Sequence, residues 1–514
     1  MLRCGIMRRA GGVLSSMQHR AMFSISPRQL AAREAEVLQT LKLVKDDLVG
    51  QDLITLGRVK NLEISDEHAV SCTIDSPSPV LLQNQEWITQ ATDRIKALSW
   101  VTGANVALSH PTPRNIQATR SSSLANVGNI IAVSSCKGGV GKSTVAVNLA
   151  FALKKRGARV GILDADIYGP SLPTMISPPD VAIRKSTVNP HFVRPVEYQG
   201  VQCMSFGFVN SKAAPGAGGK GAAVMRGAMV SKVIDQLVLG TEWGVLDYLV
   251  IDMPPGTGDI HMSLAQQVAI TTAVIVTTPQ KLSFVDVEKG ISMFEDLKVP
   301  TSAVVENMSY FDCVHGHRHY PFGHGYLTTL QSRYSIPHTF QLPMADAMNI
   351  SVDTGSPVVL SDALPTVTAV YDDLATTVAQ ECVKLKHLAR VAPELLFDKT
   401  RGMVLRFFST DSAEEIVLSP VDLRARCRCA QCIEEFTGKQ ILDPTTIQED
   451  IRPTAVQRKV YKMDVACSCA DDVGLFMLKG NYAFAVVWSD GHSSSLYTFE
   501  HLRQLAKEVQ DDAA

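Results

Sequence analysis

The chain has 514 residues, 46% hydrophobic and 19% charged, with a formal net charge of −2. This length exceeds a single hydrophobic core and predicts roughly two to four domains; the charge balance excludes a global basic field for nucleic acid, and no apolar run reaches the length of a membrane span. Eleven cysteines are present, and Cys427, Cys429, Cys432, Cys467 and Cys469 crowd together, a clustering that points to metal rather than to a disulfide framework.

Residues 1–29 carry Arg3, Arg8, Arg9, Arg20 and Arg28, and the first acid is Glu34. A basic, acid-free leader of this kind reads as a presequence for the mitochondrial matrix, with a plastid address as the alternative. Residues 30–113 read as a small α+β unit. Apolar spacing predicts a helix over 33–49, strands over 54–59, 62–64 and 69–74, a helix over 85–98 and a strand over 104–108. The pattern, with the segment 52–60, resembles the PaaD/SufT-like domain of iron–sulfur assembly proteins. Many members of that family carry a Thr-x-x-Cys-Pro turn. The corresponding stretch here is Asp75-Ser76-Pro77-Ser78-Pro79, with serine in place of the thiol. A packing or docking role is therefore expected for this unit, and Cys72 is expected to be a buried strand residue.

Residues 114–128, rich in Ser, Asn and Arg, read as a linker. The segment 129–390 follows, and it opens on the stretch around which the chain is organised. An apolar run at 129–133 reads as a buried strand and 145–156 as a helix with a basic end. Between them lies Cys136-Lys137-Gly138-Gly139-Val140-Gly141-Lys142-Ser143-Thr144. A glycine-rich loop between strand and helix lets backbone N–H groups wrap a polyphosphate, the helix N-terminus adds positive potential, and Lys142 adds a full charge. Ser143 is placed to ligate magnesium. The loop resembles the deviant Walker A of the MinD/Mrp class of dimeric ATPases, in which the extra lysine, here Lys137, reaches the phosphates of the partner subunit.

Two later strands end in acids. Asp164-Ala165-Asp166 closes one and Asp252-Met253-Pro254-Pro255-Gly256-Thr257-Gly258-Asp259 the other, which suits carboxylates for magnesium and water beside the phosphate loop. The resemblance makes Asp166 the residue that positions the attacking water, Asp164 a support of the magnesium shell and Asp252 the Walker B acid. The glycine-rich stretch within 207–226 reads as a surface insertion. Buried strands at 271–277 and 302–305 complete a parallel sheet with helices on both faces, an α/β fold. The second leads into Glu306-Asn307-Met308-Ser309, where the resemblance puts the Asn307 amide on the purine base.

The segments around Asp164 and Asp252 resemble the Mrp/ApbC branch of iron–sulfur cluster carriers. Its members present Cys-x-x-Cys after the Asn-Met-Ser segment, and two protomers together hold a [4Fe–4S] cluster. This chain offers Cys313 alone, followed by His315, His317 and His319. Cys313 is thus the expected cluster ligand, with His315 or His317 able to complete the set as histidine does in Rieske centres. Cys467-x-Cys469 is the alternative location.

Residues 395–505 read as a mainly-β unit, with strands at 403–408, 415–418 and 483–487 and a closing helix at 499–509. Its motifs, 423–439 and 480–492, resemble the small N-terminal domain of γ-butyrobetaine hydroxylase. In that domain Cys-x-Cys-x-x-Cys and a distant histidine, here Cys427, Cys429, Cys432 and His492, hold one structural zinc. The order of the three units resembles the high-chlorophyll-fluorescence type of iron–sulfur scaffold. The resemblance implies a homodimeric ATP hydrolase using ATP and magnesium, carrying a [4Fe–4S] cluster to apoproteins, with no nucleic-acid or membrane partner. The competing reading is a MinD/ParA-like positioning ATPase, which needs a basic amphipathic tail or a DNA-binding surface. A third, a 2-oxoglutarate oxygenase, needs a facial triad on a further barrel.

Overall fold

The computed structural model describes residues 27–113, 122–187, 189–209, 227–256, 259–390, 394–408, 413–427, 429, 431–433, 440–459, 483–498, 501–502 and 504–508. A nine-stranded sheet occupies the middle of the chain. Its strands lie in the order Arg318–His319, Thr301–Asp312, Thr272–Thr277, Val127–Ser134, Leu246–Asp252, Val160–Asp164, Val201–Ser205 and Val196–Tyr198, and His338–Pro343 also pairs with Thr301–Asp312. Pairing is parallel except for Arg318–His319 and Val196–Tyr198 at the margins.

Successive side chains of a strand point to opposite faces, and here both faces are dry. Ile131 and Val133 enter one core with Phe151 and Tyr371, whereas Ile130 and Ala132 enter the other with Ile234 and Phe294. This explains why the central strands read as unbroken apolar runs. The helix Lys142–Lys155 is buried throughout its middle, from Val145 to Leu153, because it lies between the sheet and the long helix Pro365–Arg390. The expected α/β class is the one observed.

Before this sheet, the strands Val59–Ile64, Ala69–Asp75 and Gly103–Ser109 form a three-stranded sheet backed by the helices Pro27–Leu41 and Gln83–Lys96. Two expectations are corrected here. The first helix ends at Leu41 rather than at 49. Apolar spacing continues through Val44 and Leu48, but Asp46 turns the chain: its buried carboxylate accepts from Leu48 N–H at 3.0 Å and pairs with Arg58 at 2.6 Å. Gly50, at φ +71°, then closes the turn of a short hairpin between Lys45–Asp46 and Gln51–Asp52. The segment 54–59 is largely turn, not strand, because Asp52 accepts from the N–H groups of Ile54 and Thr55 at 3.0 and 2.8 Å.

The turn at Ser76-Pro77-Ser78-Pro79 lies against the central sheet. Ser78 Oγ meets the buried Tyr248 hydroxyl at 2.6 Å, Val80 joins a core of the large sheet, and Val383 of the long helix joins the core of the small one. The position expected to lack a thiol is a docking joint, and Cys72 is buried on its strand as expected.

After the long helix, two three-stranded antiparallel sheets share one core. They are Glu394–Asp398, Gly402–Phe408 and Ala413–Leu418, and Pro453–Lys459, Ala483–Trp488 and Ser495–Thr498. Residues 501–502 and 504–508 are helical, inside the closing helix expected at 499–509. Most of the expected insertion, 210–226, and the Cys467-x-Cys469 pair lie outside the described residues.

Candidate functional sites

The sheet register assembles the first site. Asp252 pairs with Asp164 on one side and Val133 on the other, so two carboxylates stand next to the loop that leaves Ser134. In that loop Gly139 and Gly141 take φ values of +78° and +85°, which only glycine adopts without strain. The glycine at 141 has a second cause: a Cβ there would strike the Asn307 side chain.

Lys142 is almost fully buried and forms an ion pair with the equally buried Asp252, while its Nζ also donates to Ser143 Oγ at 3.3 Å. Asp164 is completely buried. It accepts from the N–H groups of Asp166, Ser171 and Leu172 at 3.1, 2.9 and 3.1 Å and from Ser205 Oγ at 3.0 Å. Burial, and secondly the neighbouring Asp252 charge, push its carboxyl up to about 7. Asp166 is half-buried at the mouth, with Oδ1 accepting from Gly169 N–H at 3.1 Å. Lys137 and Thr144 are half-buried, and Gly138 is exposed. Cys136 packs against Gly290, and burial raises its thiol to about 11, so it is a packing residue of the loop.

Asn307 does not present its amide to open space. Its Nδ2 donates to the Val140 carbonyl at 2.9 Å, bracing the loop from Thr301–Asp312, two strands away in the sheet. His261, buried on the helix Asp259–Gln267, was missed by sequence reasoning. It lies 3.5 Å from Ser134 Oγ, and burial, followed by the Lys142 charge, lowers its pKa to about 4, which keeps it neutral. Its only sequence signal is a histidine one residue beyond the Gly-Thr-Gly-Asp-Ile run. Gly256 N–H donates to Ser135 O at 3.2 Å; Thr257 and Gly258 lie outside the described residues.

Cys313 opens the turn of the hairpin joining Thr301–Asp312 to Arg318–His319. Its thiol pKa is lowered, first by a hydrogen bond with the His319 side chain and then by backbone bonds with His315 and His317. The imidazole brought to the thiol is thus His319, not His315 or His317 as expected. All three histidines are exposed, and among the described residues no third Cys, His, Asp or Glu donor closes around this pair within one chain.

The second site lies between the two C-terminal sheets. Cys427, Cys429, Cys432 and His492 bring their ligand atoms within 4.8 Å of one another. The His492 Nε2 lies 3.6, 3.4 and 3.7 Å from the three sulfurs. A tetrahedral ion with thiolates at about 2.3 Å and imidazole at about 2.0 Å sets sulfur–nitrogen edges of about 3.5 Å, so the donor set fits such an ion. The knuckle follows the short helix Pro420–Ala425, and the histidine follows the end of Ala483–Trp488.

The fold and the loop together define an ATP-binding P-loop NTPase. Residues 126–379 match the family model described as the NUBPL iron-transfer P-loop NTPase. Residues 34–107 match the iron-sulfur cluster assembly protein model, and 398–503 match the gamma-butyrobetaine hydroxylase-like N-terminal model. The chain is 42% identical over 99% of its length, and 88% of the relative's, to the chloroplastic Fe-S cluster assembly factor HCF101 of Oryza sativa subsp. japonica. It is 41% identical to that of Arabidopsis thaliana, over 97% of this chain and 87% of the relative. An iron-sulfur cluster carrier protein of Haemophilus influenzae is 37% identical over 68% of this chain and 92% of its own. The chain belongs to the HCF101 family of Fe-S cluster assembly factors. The two near-full-length relatives are chloroplastic, which supports the plastid alternative and gives the mitochondrial reading no support; the basic leader itself, residues 1–26, lies outside the described residues.

Proposed function

We propose that this chain is an ATP-hydrolysing, homodimeric carrier that takes up a [4Fe–4S] cluster as cargo and passes it to apoproteins. The observation that carries the reading is its similarity, over 97–99% of this chain and 87–88% of the relatives, to proteins named for Fe-S cluster assembly. The division 30–113, 129–390 and 395–505 gives one docking unit, one nucleotide engine and one metal-stapled unit.

In this reading Lys142 and the backbone of residues 136–144 hold the triphosphate. Ser143, Asp164 and Asp252 serve the magnesium. Asp166 orients the attacking water, and Lys137 reaches the phosphates of the partner subunit. On binding, Lys142 would exchange Asp252 for phosphate oxygens, which would leave the Asp252 carboxylate free to help hold a magnesium ion and so neutralise phosphate charge. Hydrolysis is slow and coupled to release of the cargo. Cys313 with His319, one pair from each protomer, supplies the cluster ligands, because thiolate is the donor iron–sulfur clusters use and imidazole is its known substitute. The C-terminal set Cys427, Cys429, Cys432 and His492 holds zinc in a closed shell, with no open position for water and hence a structural role. The leader directs the protein to an organelle, for which the relatives favour the plastid.

Anaerobic reconstitution with iron and sulfide tests the central claim. A brown iron–thiolate chromophore that moves to an apo-acceptor is expected, lost in Cys313→Ser while ATP binding persists. A wild-type protein that takes up no iron or sulfide overturns the carrier reading. A chromophore that survives Cys313→Ser moves the ligands elsewhere.

A further inference from the structure

Arg424 is a guanidinium with 5% exposure, on a helix of six residues beside the cysteine knuckle. A buried charge of this kind is costly unless it is paired and hydrogen-bonded. Arg424 Nη1 donates to Cys432 Sγ at 3.4 Å, and its Nε donates to Asp490 Oδ2 at 2.9 Å. The other oxygen of Asp490 accepts from the backbone N–H of His492 at 2.9 Å. One continuous chain of contacts therefore runs from a knuckle sulfur, through a cation and a carboxylate, to the loop that carries the fourth donor. It joins residues 60 apart in sequence without passing through the centre of the donor set. The helix under Arg424 is itself pinned, since the buried Tyr497 hydroxyl donates to Leu423 O at 2.7 Å.

We propose that Arg424 is a positioning residue for the C-terminal metal, holding the Cys432 thiolate from outside the shell and, through Asp490, the His492 loop. The proposal rests on the zinc reading above. Three thiolates and a neutral imidazole around a divalent ion leave one excess negative charge. A guanidinium donating to one of the sulfurs offsets that charge where it arises. It also fixes the lone-pair direction of the sulfur, as hydrogen bonds to ligands do in other metal sites. The planar fork of arginine reaches two acceptors at once, which an ammonium does not do in the same geometry. A salt bridge serving only the fold would have no need of a thiolate as one of its two acceptors.

The test uses the full-length protein, with zinc release to a chromogenic chelator and the sulfur-to-metal charge-transfer band of the cobalt(II)-loaded form as readouts. In Arg424→Ala, release accelerates by about tenfold or more. The charge-transfer band moves to lower energy, because the sulfur lone pair is no longer stabilised by a donor. Arg424→Lys restores part of the retention. Asp490→Asn keeps an oxygen for the His492 N–H but removes the ion pair, so release accelerates by less than in Arg424→Ala. If Arg424→Ala does not fold, faster release in both Arg424→Lys and Asp490→Asn supports the proposal, and wild-type release in both overturns it. A folded Arg424→Ala protein with wild-type release and an unmoved band also overturns it while leaving zinc in place. A wild-type protein that holds no metal removes the zinc reading, and the proposal with it.

Discussion

The phosphate loop and the cysteine knuckle are both preassembled, by opposite means. At the loop, unlike charges compensate within the chain: Lys142 pairs with Asp252, and Asp164 is ringed by four hydrogen-bond donors. At the knuckle, like donors converge, three sulfurs and an imidazole nitrogen within 4.8 Å, with Arg424 against one sulfur. A site whose charges already satisfy one another binds by exchanging partners, and such binding reverses readily. A site that crowds electron-rich atoms together is completed by a cation and has little reason to release it. The first arrangement suits a nucleotide switch and the second a permanent staple.

The largest expected effect tests the staple. Zinc binding contributes on the order of 10 kcal/mol in small metal-stabilised units. Cys429→Ser and His492→Ala should therefore lose the metal and unfold the C-terminal sheets at lower temperature, while ATP affinity stays near wild type. Elemental analysis of aerobically purified protein with a nucleotide titration checks both halves. Iron in place of zinc, or full metal content in the His492 variant, breaks the comparison.

At the loop, Lys142→Ala removes the counter-charge of the triphosphate and also leaves Asp252 buried and unpaired, a change that costs about 3–5 kcal/mol in buried pairs. ATP affinity should fall by about a hundredfold, since a lost charged contact to phosphate of about 3 kcal/mol corresponds to about two decades, and the central sheet should unfold at lower denaturant. Adding Asp252→Asn should recover stability without recovering ATP binding. Recovery of neither would show that the pair is not what the fold depends on.

The exchange of partners also predicts a pH dependence. Burial and Asp252 raise the Asp164 carboxyl from 3.8 to about 7. Between those values the folded protein holds a proton that the unfolded chain has released, so this group favours the fold at low pH. Its contribution declines as pH rises from 3.8 and is gone above about 7. A magnesium ion beside the acid favours the carboxylate and expels that proton. Affinity for Mg·ATP should accordingly rise with pH, by up to about tenfold per unit, and level off above about 7. Calorimetry in buffers of different ionisation enthalpy reads the released proton directly. Asp164→Asn should flatten the profile, and an unaltered profile in that variant would assign the proton to another group.

The two sites were legible in the sequence to different depths. The strand, glycine-rich loop and helix around Lys142 are contiguous, so local spacing suffices, and Cys427, Cys429 and Cys432 announce themselves on one turn. What escaped reading depends on contacts remote along the chain. Arg424 meets Asp490 66 residues on, and Ser78 meets Tyr248 170 residues on. The extra helical turns expected after Leu41 and the strand expected at 54–59 failed for a local reason. Apolar spacing continues through both segments, but Asp46 and Asp52, through side-chain acceptance of backbone N–H groups, turn the chain.

Asn307 carries the smallest expected effect and the sharpest distinction. The family resemblance puts its amide on the purine, whereas the fold puts Nδ2 on the Val140 carbonyl, inside the loop that wraps phosphate. A buried hydrogen bond of this kind contributes about 1 kcal/mol, or roughly a fivefold change in affinity if the loop's preorganisation is what is lost. Asn307→Ala should then weaken ATP and GTP by the same few-fold factor, because a brace acts on the phosphates that both nucleotides share. Loss of a base contact would instead weaken ATP and leave GTP nearly unchanged, narrowing the ratio between them. Asn307→Asp separates the two further. A carboxylate cannot donate to the Val140 carbonyl and places negative charge beside it, so both nucleotides should weaken beyond the alanine variant if Asn307 is a brace. Titrating the three proteins with both nucleotides at one magnesium concentration decides the matter. An ATP-to-GTP ratio that shifts in Asn307→Ala while the GTP affinity holds would remove the brace and restore the base contact.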